Sequence, residues 1–161
     1  MRNFVLILCA VLMQLSCTVS KEAAQAQHTE QVKLEKELGQ AIDNRHFTID
    51  VTYMTPMRGA PQSISGHSLT VKGDTIISQL PYFGYVTSAP YGGGDGLNFT
   101  AKITGYKQET TKKCVRLNIE TRNTEDTYQY MVKIYPTGHT FISVMSRNRD
   151  QISFTGDASP N

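Results

Sequence analysis

The sequence predicts a mainly β domain of the α+β class, with one N-terminal helix packed on an antiparallel β-sheet, sandwich or barrel of about eight strands. Three observations predict it. Apolar residues fall at helical spacing only between residues 28 and 44. From His46 onward the period changes to two. Turn residues then interrupt the chain at short intervals, as in all-β folds.

The helix comes first. Leu34, Leu38, Ala41 and Ile42 form one apolar stripe, with Val32 at its edge. Glu30, Lys33, Glu35, Lys36, Glu37 and Gln40 make the polar face. Thr29 is the expected N-cap, and Asp43-Asn44 marks the end. So narrow a stripe needs a sheet or groove to lie on.

The strands follow. Phe47, Ile49, Val51 and Tyr53 alternate with polar residues, the signature of a half-buried strand. Pro56 to Gly66 reads as a loop. Leu69 to Lys72, the tight turn Gly73-Asp74 and Thr75 to Leu80 form the clearest hairpin. Residues 81–96 break the pattern with Pro, Gly and four aromatic rings. Strands resume at Leu97 to Ile103, then Val115 to Ile119, Tyr128 to Ile134 and Thr140 to Val144, with a last strand at Ile152 to Phe154. Asn123 to Asp126 and Pro136 to Gly138 are turns.

The N-terminus reads as a targeting segment. Arg2 precedes an apolar run from Phe4 to Leu15 broken only by Gln14. That run is short of the roughly 20 residues that span a bilayer. It is apolar all round, unlike a core helix of a small domain, and matches a signal h-region. Ala24-Gln25-Ala26 is a cleavage pattern, giving a signal peptide at 1–26 and a single domain at 27–161. The alternative is a lipoprotein signal at 1–16 with Cys17 as the lipid anchor, although Gln14 stands where an aliphatic residue is expected. Either route implies an exported protein, periplasmic or outer-membrane associated.

Processing also settles the cysteines. Cys9 leaves, Cys17 leaves or is lipidated, and Cys114 remains alone, on a strand position facing a core or a neighbour. Removal of 1–26 takes Arg2, Lys21 and Glu22 and leaves the mature domain near neutral. With no basic stripe and no tryptophan, it lacks a nucleic-acid footprint. Membrane association is expected only through a lipid anchor.

Chemical motifs are sparse. His28, His46, His67 and His139 lack metal-ligand spacing, and no nucleophile elbow is present. No cofactor or metal is expected. The Gly-rich stretch 92–94 lacks the Lys-Ser/Thr ending of a phosphate loop. The best candidate is the aromatic loop: Tyr82, Phe83, Tyr85, Tyr91 and Asp95. Flat aromatic area beside flexible glycine and an acid suits a glycan, a peptide or an envelope protein. The same residues equally suit a structural corner that caps the core. Arg147 and Arg149 could clamp a carboxylate or phosphate, or sit in a solvated turn paired with Asp150 or Asp157. Three functions stay open: a non-catalytic binding module using 81–96, an interaction domain using a sheet edge, and a hydrolase with unmarked carboxylates.

Leu80-Pro81-Tyr82-Phe83-Gly84, Ala89-Pro90-Tyr91-Gly92-Gly93 and Ser146-Arg147-Asn148-Arg149-Asp150-Gln151-Ile152-Ser153-Phe154-Thr155-Gly156, with Val71-Lys72-Gly73-Asp74 before them, carry a likeness. They resemble the DUF4251 family, secreted or envelope proteins of Bacteroidota. The likeness spans about Ile42 to Gly156 and departs from the pattern at Tyr85 and Arg147. It implies export and a shared fold, and supplies no reaction.

Overall fold

A computed structural model describes residues 16–87 and 96–161, with side chains from Thr29 onward. Helix α1 (Ser16–Asp43) leads into eight strands: β1 (His46–Pro56), β2 (Gln62–Lys72), β3 (Thr75–Leu80), β4 (Leu97–Thr110), β5 (Val115–Arg122), β6 (Thr127–Ile134), β7 (His139–Ser146) and β8 (Ile152–Pro160). Every neighbouring pair is antiparallel, and β1 pairs with β8, so the sheet closes into an up-and-down barrel. Closure decides between sandwich and barrel. It also removes the free edge strands on which the sheet-edge reading rested, apart from one segment of β4.

Alternation builds the core. Phe47, Ile49 and Val51 of β1 point inward with Leu69, Val71, Ile76 and Leu80. Leu117, Ile119, Tyr128, Tyr130, Val132, Ile142 and Phe154 fill the remainder. The Tyr130 hydroxyl donates to Ser78 Oγ at 3.2 Å inside the barrel, so even its polar tip is satisfied. Eight strands enclose just enough room for side chains. Large buried side chains, among them Tyr128, Tyr130, Phe47 and Phe154, occupy that room here.

Several boundaries differ from expectation. α1 spans Ser16–Asp43, so Thr29 lies inside it rather than at the expected N-cap. Of its stripe, Leu38 and Ile42 are buried and Ala41 partly so, while Val32 and Leu34 stay exposed. Only the last two turns dock, against β1 and β8. Part of the expected loop at 56–66 is strand: β1 runs to Pro56 and β2 starts at Gln62. The first residues of β2 are exposed apart from Ile64, which is half-buried against the core, so they give no run of hydrophobic alternation. β4 and β8 likewise outrun their apolar cores. Cys114 lies in the turn before β5, not on a strand, buried beside Thr111.

At the α1 end, Arg45 pairs with Asp74 at 2.9 Å, and its guanidinium lies 4.3 Å from the centre of the Tyr106 ring. Burial pushes the Tyr106 phenol up to about 12, against the pull of the Arg45 charge and with Asp43 adding to the rise. An unfolded tyrosine ionises near 10. Below that the phenol is neutral in both states, and its contribution to stability is whole. Between pH 10 and about 12 only the unfolded chain releases the proton, so stability falls as pH rises. Thermal melts across that window should show the fall. The Tyr106 hydroxyl has no hydrogen-bond partner among the described residues, so Tyr106→Phe should be nearly neutral at pH 7 and shallower above pH 10. Parallel curves for both proteins would refute this.

Candidate functional site

The barrel end opposite α1 is made by four connections: 57–61, 81–96, 123–126 and 147–151. It gathers most of the sequence candidates. Val86 bridges to Arg149; Thr87 N–H donates to Asn148 O at 2.8 Å, and Asp150 N–H donates to Tyr85 O at 3.1 Å. The aromatic loop and the Arg-Asn-Arg segment are therefore laced together by backbone.

Tyr82 locks the pair. Its hydroxyl lies 3.0 Å from Tyr85 O and 3.1 Å from Asp150 O and shares its one proton between them. The ring lies against Gly84, where any Cβ would collide with it. The Arg149 guanidinium sits 5.3 Å from the ring centre, a cation–π distance. Burial raises the Tyr82 pKa, with the Asp150 charge adding to the rise and Arg149 opposing it. The Tyr82 ring is thus half-buried and its hydroxyl is engaged with backbone.

Arg149 also departs from expectation. The solvated-turn reading fails because its side chain is only 7% exposed. Its partner is Glu125, at 2.9 Å, rather than Asp150 or Asp157. Asp150 faces Arg58 at 3.8 Å, and Asp157 faces His139 at 3.7 Å. Arg147 is exposed, with no ion pair among the described residues. The two arginines therefore do not form a clamp.

Sequence reasoning missed the third partner, the turn 123–126. Asn123 Oδ1 accepts from the N–H groups of Glu125 and Asp126, both at 2.8 Å, an Asx turn that orients both acids. Asp126 is buried; its carboxylate accepts from Thr127 N–H at 2.7 Å and from Asn148 N–H at 3.1 Å. Tyr128 stacks on Phe99 with ring centres 4.8 Å apart. Burial raises its pKa, with the Arg149 charge opposing. Among the described residues no group meets hydrogen-bond geometry with its hydroxyl, although Asn123 and Arg149 are close enough to weigh on its ionisation. A buried arginine's need for a carboxylate was the available signal; its place in the chain was not.

On this frame Phe83 is 56% and Tyr85 67% exposed. Met57, next to Arg58, is also exposed. Tyr91 and Asp95 lie outside the described residues, as do residues 1–15 and the side chain of Cys17.

A family model described as a domain of unknown function, DUF4251, matches residues 29–158. No curated protein matches the chain. Among solved structures, the crystal structure of a DUF4251 family protein from Bacteroides eggerthii is similar, with a TM-score of 0.62 at 13% identity, covering 78% of this chain and 87% of that one. At that identity the likeness concerns the fold. The match runs from the docked helix to the last strand, and the chain belongs to the DUF4251 family.

Proposed function

We propose that the protein is an exported, non-catalytic binding module of the cell envelope whose ligand surface is the barrel end opposite α1. The observation that carries it is the exposure of Phe83 and Tyr85 on a rigid frame. Exposed aromatics in a floppy loop would mean little. Here the backbone beneath them is tied to Asn148 and Asp150 and pinned by Tyr82, so the rings are presented without an ordering cost at binding. Flat rings of this kind suit a sugar face or a peptide side chain.

The carboxylates here support binding over hydrolysis. Glu125 is held by Arg149, Asp126 by two backbone N–H groups, and Asp150 faces Arg58. Each of these described acids is thus already engaged by a cation or by backbone donors.

The test uses the chain expressed with its native N-terminus in a Bacteroides host. The mass of the mature protein should begin at Gln27, or carry lipid on Cys17; an unprocessed cytoplasmic chain would defeat the export reading. The recovered protein should co-sediment with purified peptidoglycan sacculi, which offer both glycan and peptide. Phe83→Ala with Tyr85→Ala should abolish co-sedimentation and leave the melting temperature within about 2 °C, since exposed side chains contribute little to stability. Equal co-sedimentation of both proteins would remove the aromatic surface from the proposal.

A further inference from the structure

Strand β4 is satisfied along only part of its length. Thr75 to Leu80 of β3 pair with Lys102 to Leu97 on one side. On the other side, pairing with β5 begins only at Ile103. Residues 97–102 therefore run past the β5–β6 turn with no strand beside them among the described residues.

Two hydrogen bonds fix which groups face the gap. Ile103 N–H donates to Asp74 O at 2.8 Å, toward β3. Lys102 O accepts from Thr121 Oγ1 at 2.8 Å, toward β5. Main-chain groups alternate sides along a strand. Asn98 and Thr100 thus direct both N–H and C=O into the gap, while Phe99 and Ala101 are spent on β3. Such a row of paired donors and acceptors is a template for another strand.

The surroundings add selectivity. The gap is an open cleft of about 510 Å³. Phe99 and Ala101 are only partly buried on its inner side. Lys102 and Arg122 line it without an ion-pair partner among the described residues, whereas Glu125, the one acid lining it among the described residues, is held by Arg149. The free charge facing the cleft is positive.

We infer that residues 98–102 of β4 are a docking edge for an extended peptide strand that carries acidic side chains. Its backbone pairs with Asn98 and Thr100. Alternate side chains cover Phe99 and Ala101, and its carboxylates meet Lys102 and Arg122. The cleft borders that barrel end through the 123–126 turn but includes neither Phe83 nor Tyr85, so different substitutions test the two readings.

The probe is a short labelled peptide of alternating valine and threonine ending in glutamates, followed by fluorescence anisotropy. Its lysine-ended analogue should bind roughly tenfold more weakly, and an N-methylated analogue, unable to pair, should not bind. Thr100→Pro removes one N–H that faces the cleft and leaves the β3 ladder whole, a position where proline is tolerated. It should keep the wild-type melt and lose the peptide. Lys102→Glu, on the exposed face, should favour the lysine-ended peptide instead. Should Thr100→Pro fail to fold, charge reversal at Lys102 and amide exchange carry the test. In the free chain the Thr100 amide should exchange fast and the Ala101 amide slowly, and the peptide should slow Thr100. Unchanged affinity in folded Thr100→Pro, no binding by the wild type, or no change of preference in Lys102→Glu overturns the inference. So does a free dimer with a protected Thr100 amide, which would make the occupant a second copy.

Discussion

Arg149→Ala is expected to destabilise the domain by about 3 kcal/mol, the low end of the range for breaking a buried ion pair. The guanidinium is 7% exposed and its partner Glu125 20%, so water cannot replace the lost interaction cheaply. Three effects combine. Glu125 loses its cation at 2.9 Å. Tyr82 loses the charge over its ring. The methylenes that fill the space between the two connections also go. The pair itself need not be favourable overall, because desolvating two charges costs much of what their attraction returns. Arg149→Met with Glu125→Leu should therefore recover most of the loss, to within about 1 kcal/mol of the wild type. Arg147→Ala is the control. That residue is exposed and unpaired among the described residues, and its removal should change stability by no more than about 0.5 kcal/mol. Urea denaturation of the four proteins decides it. Equal loss in Arg147→Ala and Arg149→Ala would show that the buried pair has no special weight.

The contrast between those arginines shows what a sequence can and cannot carry. They stand two residues apart in one turn and looked alike. Only the fold puts Arg149 against a carboxylate 24 residues away and leaves Arg147 in water. Where information is local, the reading was close. β5 and β6 alternate buried and exposed residues almost without fault, because one face meets the core and the other meets water. β1 does so as far as Val51, where a bulge shifts the phase, exposing Tyr53 and burying Met54 against expectation. The hairpin at Gly73-Asp74 has the register its turn implies, Lys72 opposite Thr75. Where a strand meets the core with a single apolar residue, as at the start of β2 with Ile64, too little pattern existed to read. Closure is the extreme case. β1 and β8 pair across nearly the whole domain, and no local signal marks two strands as neighbours at that separation. The aromatic loop was half legible. Its composition pointed to a special segment, but the division between a half-buried, pinned Tyr82 and exposed Phe83 and Tyr85 depends on the partner turn at 147–151.

That closing seam carries the other large prediction. Gly156→Ala is expected to cost about 3 kcal/mol and to lower the melting temperature by about 10 °C. Gly156 lies in the middle of β8, opposite Val51 on one side and Thr140 on the other. Side chains in a regular sheet stand away from the neighbouring backbone, so an extra methyl usually fits. Here β1 shifts register between Val51 and Tyr53 and folds across Gly156. A Cβ at 156 would overlap the Asp50 carbonyl and crowd the Val51 Cα. Neither obstacle can turn aside as a side chain would, so β1 itself must move. Its movement loosens the pairing that closes the barrel, next to the buried Val51 and Phe154. Amide exchange should therefore accelerate along 50–54 and 153–157 while the β5–β6 pair keeps its protection. Ser159→Ala, in the same strand and half-buried, provides the comparison and should melt within about 2 °C of the wild type. If Gly156→Ala melts with it, the seam has slack that the close approach of the two backbones denies. If it melts early with exchange raised evenly over all strands, closure and core fail together, and the β1–β8 seam is part of one cooperative unit rather than its weakest joint.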